Sequence, residues 1–221
     1  PSVVAAASFA AKMIKRSGGF KTTIHNRQMI GQVALYHVPD IKNAINNIQE
    51  KKQKLLELAN QAHPSIVKRG GGARHLHVEY LNGEAEFLIV YLTVDTQEAM
   101  GANILNTMLE ALKTPLEELS GGKSLMAILS NYATEALVTA TCEIDIRFLD
   151  RNKSEALDIA KKIVLASQFA KQDPYRASTH NKGIFNGIDA VVLAIGNDWR
   201  AIEAGAHAYA SRNGTYQGLT T

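Results

Sequence analysis

The chain of 221 residues is 46% hydrophobic, 20% charged and 6% aromatic, with a formal net charge of +3. These proportions exclude a disordered, collagenous or acidic-tail protein, and so small a charge does not suit a dedicated nucleic-acid binder. A lone Cys142 cannot form an internal disulfide. Uncharged stretches such as Pro1 to Ala11 fall short of the roughly 20 residues that span a bilayer, and that stretch lacks the positive start of a signal peptide. A reduced, cytoplasmic protein with no membrane segment and no nucleic-acid partner is expected. The opening on Pro1-Ser2 and the close on Gly218-Leu219-Thr220-Thr221 read as parts of a longer polypeptide.

In chain order, Ser2 suits an N-cap, and Val3, Val4, Ala7, Ala10, Ala11 and Ile14 recur at helical spacing up to Gly18-Gly19. Residues 28–38 alternate as a strand does. Asp40 caps a long helix whose stripe is Ile41, Ala44, Ile45, Ile48, Leu55, Leu56 and Ala59; Glu50, Lys51, Lys52, Lys54 and Glu57 form its solvated face. After Gly70-Gly71-Gly72 comes strand 74–80, a hairpin at Asn82-Gly83, and strand 85–94. A helix from about Thr96 to Leu119, interrupted or bent near Pro115, leads to strand 124–130. The order β-α-β-β-α-β is ferredoxin-like and marks a small domain over residues 26–132.

Residues 136–148 predict one long strand, with Val138, Ala140, Cys142, Ile144, Ile146 and Phe148 on its apolar side. A helix over 154–171 and further helical segments to about Arg212 follow. The fold class is therefore α+β. The ferredoxin-like domain is inserted into a larger, helix-rich α/β domain made of residues 1–25 and 133–221, whose two parts pack together.

Gly70-Gly71-Gly72-Ala73-Arg74 leads into a strand rather than a helix, so it fails as a dinucleotide fingerprint. Gly122-Lys123-Ser124 imitates the end of a phosphate loop, but Glu117 stands where the first glycine is required. His75 and His77 share a strand face without a third ligand, which favours surface histidines over a metal site. Cys142 reads as an inert core thiol. Phe87 and Tyr91 could stack bases, yet the glycine-aromatic consensus is missing, and core or dimer packing accounts for them better.

Two segments say more. Thr93 to Asn103 runs from a strand into a helix start, where free N–H groups favour a phosphate. Gly101 there costs about 1 kcal/mol of helix stability and suits close approach of a ligand, although a plain strand-to-helix turn reads the same way. Asp173 to Asp189 sets the donors Arg176, Thr179, Lys182 and Asn186 among small residues. That set suits a carboxylate and a carbonyl oxygen, and equally well a surface helix with a capped end. Asp198 supplies an acid at a further helix start.

Taken together, Pro1-Ser2-Val3-Val4-Ala5-Ala6, Glu98-Ala99-Met100-Gly101-Ala102-Asn103, Asp173-Pro174-Tyr175-Arg176, Thr179-His180-Asn181-Lys182-Gly183-Ile184 and Gly196-Asn197-Asp198-Trp199-Arg200-Ala201, extended by Glu203 to Ala210, resemble the class II, bacterial-type 3-hydroxy-3-methylglutaryl-CoA reductases. The resemblance covers nearly the whole chain. It implies a four-electron, NAD(P)H-dependent reduction of 3-hydroxy-3-methylglutaryl-CoA to mevalonate and CoA, in the mevalonate pathway of isoprenoid biosynthesis. It also implies a homodimer or higher homo-oligomer.

By the same resemblance Lys182 stabilises the oxyanion of the thioester and then of the aldehyde, with Asp198 tuning and holding it. Ser2, Arg176, Thr179 and Asn186 fall where the family grips the substrate. Met100, Gly101, Asn103 and Asn131 fall on its cofactor contacts, and no metal is implied. His75 stands where NADH-using members carry an acidic residue. With Arg74 beside it, and Lys68 and Arg69 before the glycines, NADPH is the expected cofactor and NADH the alternative. The family's catalytic glutamate falls before residue 1, and its catalytic histidine and mobile flap fall beyond Thr221. The chain alone is thus expected to be inactive, the alternative function being a fragment that only binds nucleotide or CoA.

Overall fold

The computed structural model describes residues 2–220. Helix α1 (Ser2–Arg16) and strand β1 (Lys21–Ile24) come first. Ser2 is the first residue of α1, and its side chain, with the expected cap and substrate contact, lies outside the described residues. The fold is mixed α+β, and the chain divides into two compact units. One is His25–Leu137; the other joins the segment ending at Ile24 to the segment beginning at Val138.

Within His25–Leu137, strand β2 (Gln28–Tyr36) alternates as its sequence requires. Gly31, Val33 and Leu35 are buried, and the residues between them face the other way. Asp40 accepts a hydrogen bond from the Asn43 N–H at 2.9 Å and starts α2 (Ile41–Glu50). The long helix expected from Asp40 to Ala59 is broken at Lys51 (φ −96°, ψ 8°), so α2 is followed by a separate α3 (Lys52–Ala62) and a short α4 (Pro64–Lys68). Between Ile48 and Leu55 every residue is polar, so nothing apolar holds a continuous helix to the core. Ile48 before the break and Leu55 after it are both buried.

Strands β3 (Gly72–Asn82) and β4 (Glu86–Asp95) form the hairpin expected at Asn82-Gly83. Helix α5 (Ala102–Ser120) and strand β5 (Lys123–Ser130) complete the unit. The sheet order is β3-β4-β2-β5, with every neighbouring pair antiparallel. Ala44, Ile48, Leu55 and Ala59 of α2 and α3 join Leu105, Leu109 and Leu112 of α5 against Val33, Leu88 and Leu92 of the sheet in one core. The opposite sheet face is open. Each edge strand carries one extra residue at a register shift, Arg74 in β3 and Leu125 in β5.

Two expectations need correction here. The helix read as starting near Thr96 starts at Ala102, because Gln97 (φ 54°) and Gly101 (φ 94°) take left-handed backbone that no helix accommodates. Phe87 and Tyr91 belong to the open face rather than the core; Tyr91 stacks on His77 with centroids 4.6 Å apart. The rejection of Gly122-Lys123-Ser124 as a phosphate loop agrees with the structure: Ser124 is a strand residue whose N–H and Oγ–H both donate to Glu117 Oε1 at 2.7 Å, tying the strand start to the end of α5.

In the second unit, residues 136–148 are not one strand. Only β6 (Val138–Thr141) pairs, with β1, because β1 offers just four residues of ladder. Beyond it Asp145 accepts from the Arg147 N–H and folds Ile146–Phe148 into a 3-10 turn. Cys142 is exposed, not a core thiol, since none of the described residues covers that side of the segment. Helices α6 (Lys153–Gln172), α7 (Pro174–Ala194) and α8 (Trp199–Ala210) follow, started by Asn152, Asp173 and Asp198 as side-chain caps. Among the described residues, no helix is long and apolar enough to cross a membrane.

Candidate functional site

Two clusters emerge, one in each unit. In the first, β4 ends at Asp95, whose Oδ1 accepts from the Gln97 N–H at 2.9 Å. Buried Thr96 donates from Oγ1 to the Ala99 carbonyl at 3.0 Å, and Arg27 Nη1 holds Glu98 at 2.9 Å. The loop then reaches Gly101, the cap of α5. A Cβ there would collide with the Thr96 side chain, so only glycine fits. Met100 and Asn103 stand exposed on either side of it, and Asn131 is exposed just after β5. The result is an open helix N-terminus presented by a fixed turn.

Beside it, the open sheet face holds a depression of about 650 Å³ lined by residues that include Gln32, His75, His77, Tyr91, Thr93, Ser130 and Tyr132. His75 and His77 are exposed, as expected of surface histidines, with ring centroids 5.9 Å apart. Lys52 Nζ lies 3.0 Å from His75 Nδ1. Burial first, then the charge of Lys52 and the neighbouring His77, hold the His75 imidazole below its ordinary pKa. Arg74 donates to the Gly70 carbonyl and pairs with Asp95 at 3.5 Å, so its charge is partly cancelled.

The second cluster lies on α7, which begins where Asp173 accepts from the Arg176 N–H at 3.0 Å. At about 100° per residue, Arg176, Thr179, Lys182 and Asn186 fall within an arc of about 120° on that helix. Arg176 is half-buried and the other three are exposed. Asp198 caps α8, accepting from Arg200 N at 3.0 Å and Ala201 N at 3.2 Å. The Ala201 N–H first, then the Arg200 charge, keep its carboxyl below the ordinary pKa, so it is an anion at neutral pH. Asp198 pairs with Arg200 at 3.4 Å; among the described residues it forms no ion pair with Lys182. The structure therefore aligns the four α7 residues but does not join Lys182 to Asp198.

Residues 1–220 match the family model for hydroxymethylglutaryl-coenzyme A reductase. The chain belongs to that family. The 3-hydroxy-3-methylglutaryl-coenzyme A reductase of Archaeoglobus fulgidus is 42% identical over 100% of this chain and 50% of its own length. A probable reductase of Borreliella burgdorferi is 34% identical over 97% of this chain and 49% of its own. A solved reductase from Streptococcus pneumoniae is 72% identical with a TM-score of 0.97, and covers 99% of this chain and 52% of its own. Another solved structure, of the class II Streptococcus pneumoniae reductase bound to NADPH in open conformations, is 71% identical with a TM-score of 0.97, over 99% of this chain and 59% of its own. The chain thus spans about half the length of the relatives it matches.

Within this reductase-family chain, two residues escape sequence reading. Asn181, next to Lys182, is fully buried; its Nδ2 donates to the Gln217 carbonyl and its Oδ1 accepts from the Leu219 N–H, both at 2.9 Å. It clasps residues 217–219 to α7 and fixes the helix turn that carries Lys182. Lys52 reads as part of a solvated charge run, and its approach to His75, 23 residues away, is a tertiary fact with no local signal.

Proposed function

We propose that the protein reduces the thioester of 3-hydroxy-3-methylglutaryl-CoA to mevalonate, with release of CoA, in the mevalonate pathway of isoprenoid biosynthesis. NADPH is the preferred reductant and NADH the alternative. The observation that carries the reading is the row of Arg176, Thr179, Lys182 and Asn186 along one side of α7 in a chain matched to this family from end to end. The nicotinamide, when bound, supplies the hydrides.

The protein's own residues supply binding and charge. The guanidinium of Arg176 and the side chains of Thr179 and Asn186 suit the carboxylate and hydroxyl of the substrate, and Ser2 adds to that grip. Lys182 places an ammonium against the oxygen that gains charge when the thioester, and then the aldehyde, is reduced. Asp198, held ionised by its cap hydrogen bonds, keeps a negative field on that side of the reaction. Met100, Gly101, Asn103 and Asn131 receive the dinucleotide. The contact with Thr96 that admits only glycine at position 101 holds the turn before α5 in place, and that fixed helix start supports the fit.

The sheet order β3-β4-β2-β5 supports reading residues 26–132 as a ferredoxin-like nucleotide domain inserted into a helix-rich substrate domain of residues 1–25 and 133–221. A cytoplasmic homodimer fits the same reading. A second reading, a chain that binds nucleotide or CoA without turnover, is favoured by the separation of Asp198 from Lys182.

The deciding experiment measures mevalonate formation with NADPH by the complete protein, of full family length, and by its Lys182→Ala variant. Loss of an oxyanion donor commonly costs about 3 kcal/mol, or at least about 100-fold in rate, on both the thioester and the aldehyde. Near-normal turnover by the variant overturns the role of Lys182. Nucleotide binding without any mevalonate from the wild type selects the second reading.

A further inference from the structure

The buried line of α7 consists of Ala177, Asn181, Phe185 and Val192. Its apolar members pack without directional preference, so by themselves they let the helix turn or slide against its neighbours. Asn181 is the polar member and is 0% exposed. At about 100° per residue it lies roughly 160° from the centre of the row Arg176, Thr179, Lys182 and Asn186. The anchor is on the back of the helix and the donor row on its front.

What Asn181 holds is itself held by the neighbouring helices. Its amide joins the Gln217 carbonyl and the Leu219 N–H, both at 2.9 Å. The Gln217 N–H donates to the Ala210 carbonyl at the end of α8, and the Gly218 N–H to the Ala170 carbonyl near the end of α6, both at 3.0 Å. A Cβ on Gly218 would stand 3.1 Å from that of Ala170, so the segment passes α6 closely. Tyr216 Oη lies 2.8 Å from His207 Nδ1 on α8, and Thr220 Oγ1 lies 2.7 Å from His180 Nε2 on α7. Residues 216–220 thus form a strap that ties the three helices together. A buried amide satisfied at both ends is directional, and it selects one register among apolar packings that are otherwise nearly equivalent.

We propose that Asn181 is a positioning residue for the reduction: through the strap 216–220 it sets the rotation of α7, and so aims Lys182 at the oxygen that gains charge. The inference rests on the role proposed for Lys182 above.

The test uses the complete protein, of full family length, with Asn181→Ala and with Gly218→Val, which loosens the strap from the α6 side. Rates are taken per folded molecule, below the melting transition of each variant. In both, kcat for the thioester and for the aldehyde is expected to fall at least about tenfold, since misplacing an aligned group by about 1 Å costs up to about 100-fold. KM for both substrates is expected to stay within about threefold, because Arg176 keeps its own anchor at the Asp173 cap. Both changes release one strap, so the double variant is expected to lose no more than the worse single one. A lowered melting temperature with kcat near normal overturns the proposal, as the clasp is then structural only. A raised KM with kcat unchanged overturns it too, because the clasp then serves substrate grip rather than Lys182. Losses that multiply in the double variant overturn the strap as the shared route. Should Asn181→Ala not fold, the same split in Gly218→Val decides. A wild type that forms no mevalonate overturns the reading of the activity, and this inference with it.

Discussion

The two units meet the same physical demand with different success. In His25–Leu137, Val33, Leu35, Leu88, Leu92, Leu105 and Leu109 are all 0% exposed, and helices and sheet close one core. In the other unit the buried set is mostly small, Ala156, Ala170, Ala177 and Ala210 with Phe185 and Val192. Phe169 is 55% exposed, Val191 61% and Leu165 61%. A helix apolar on more than one side needs a covering partner. Stability is thus concentrated in His25–Leu137, while the residues proposed to bind substrate stand on helices whose apolar faces stay largely uncovered among the described residues.

The largest expected effect that sharpens this contrast is truncation of a core leucine. Leu109→Ala should cost about 2–5 kcal/mol in urea unfolding, whereas Val191→Ala should stay within about 0.5 kcal/mol. Equal losses would break the comparison.

Smaller is a pair of glycine substitutions. Gly101→Ala forces a side chain into left-handed backbone and against Thr96, and should cost about 2 kcal/mol. Gly187→Ala, inside α7 with nothing within 4 Å of the added methyl, should instead stabilise by up to about 1 kcal/mol. Thermal melts of both variants check it, and a destabilising Gly187→Ala would show that α7 is more closely covered than described.

The smallest effect is on pH. The N–H and then the hydroxyl of Ser124 hold Glu117 below its ordinary pKa of 4.5. A depressed folded pKa contributes stability that is present above the unfolded value and is lost as pH falls through the folded one. Between about pH 6 and about pH 3 the wild type should therefore lose more stability than Glu117→Gln. Parallel curves would remove Glu117 from the acid response.

Periodic segments were the legible ones. β2, β4, β5 and the helices read over 154–171 and after it follow from alternation or helical spacing, because a half-buried element writes its burial into its sequence. Residues 136–148 alternate just as clearly, yet only Val138–Thr141 find a ladder partner; pattern prescribes a face, not a neighbour. The start of α5 lies later than the sequence pattern implies because left-handed Gln97 carries no local mark. The α7 row was legible as a donor cluster, since it lies on one helix. Lys52 beside His75 and Asn181 clasping residues 217–219 were not, because each joins distant parts of the chain.

The extra residues Arg74 and Leu125 have a consequence for life in a crowded solution. A regular edge strand presents evenly spaced N–H and C=O groups that can template another strand, and so invites sheet-to-sheet growth. Here both outermost strands are interrupted, β3 at Arg74 and β5 at Leu125. Neither border repeats its spacing along its full length, so a four-stranded sheet with two edge strands is guarded against polymerising through them.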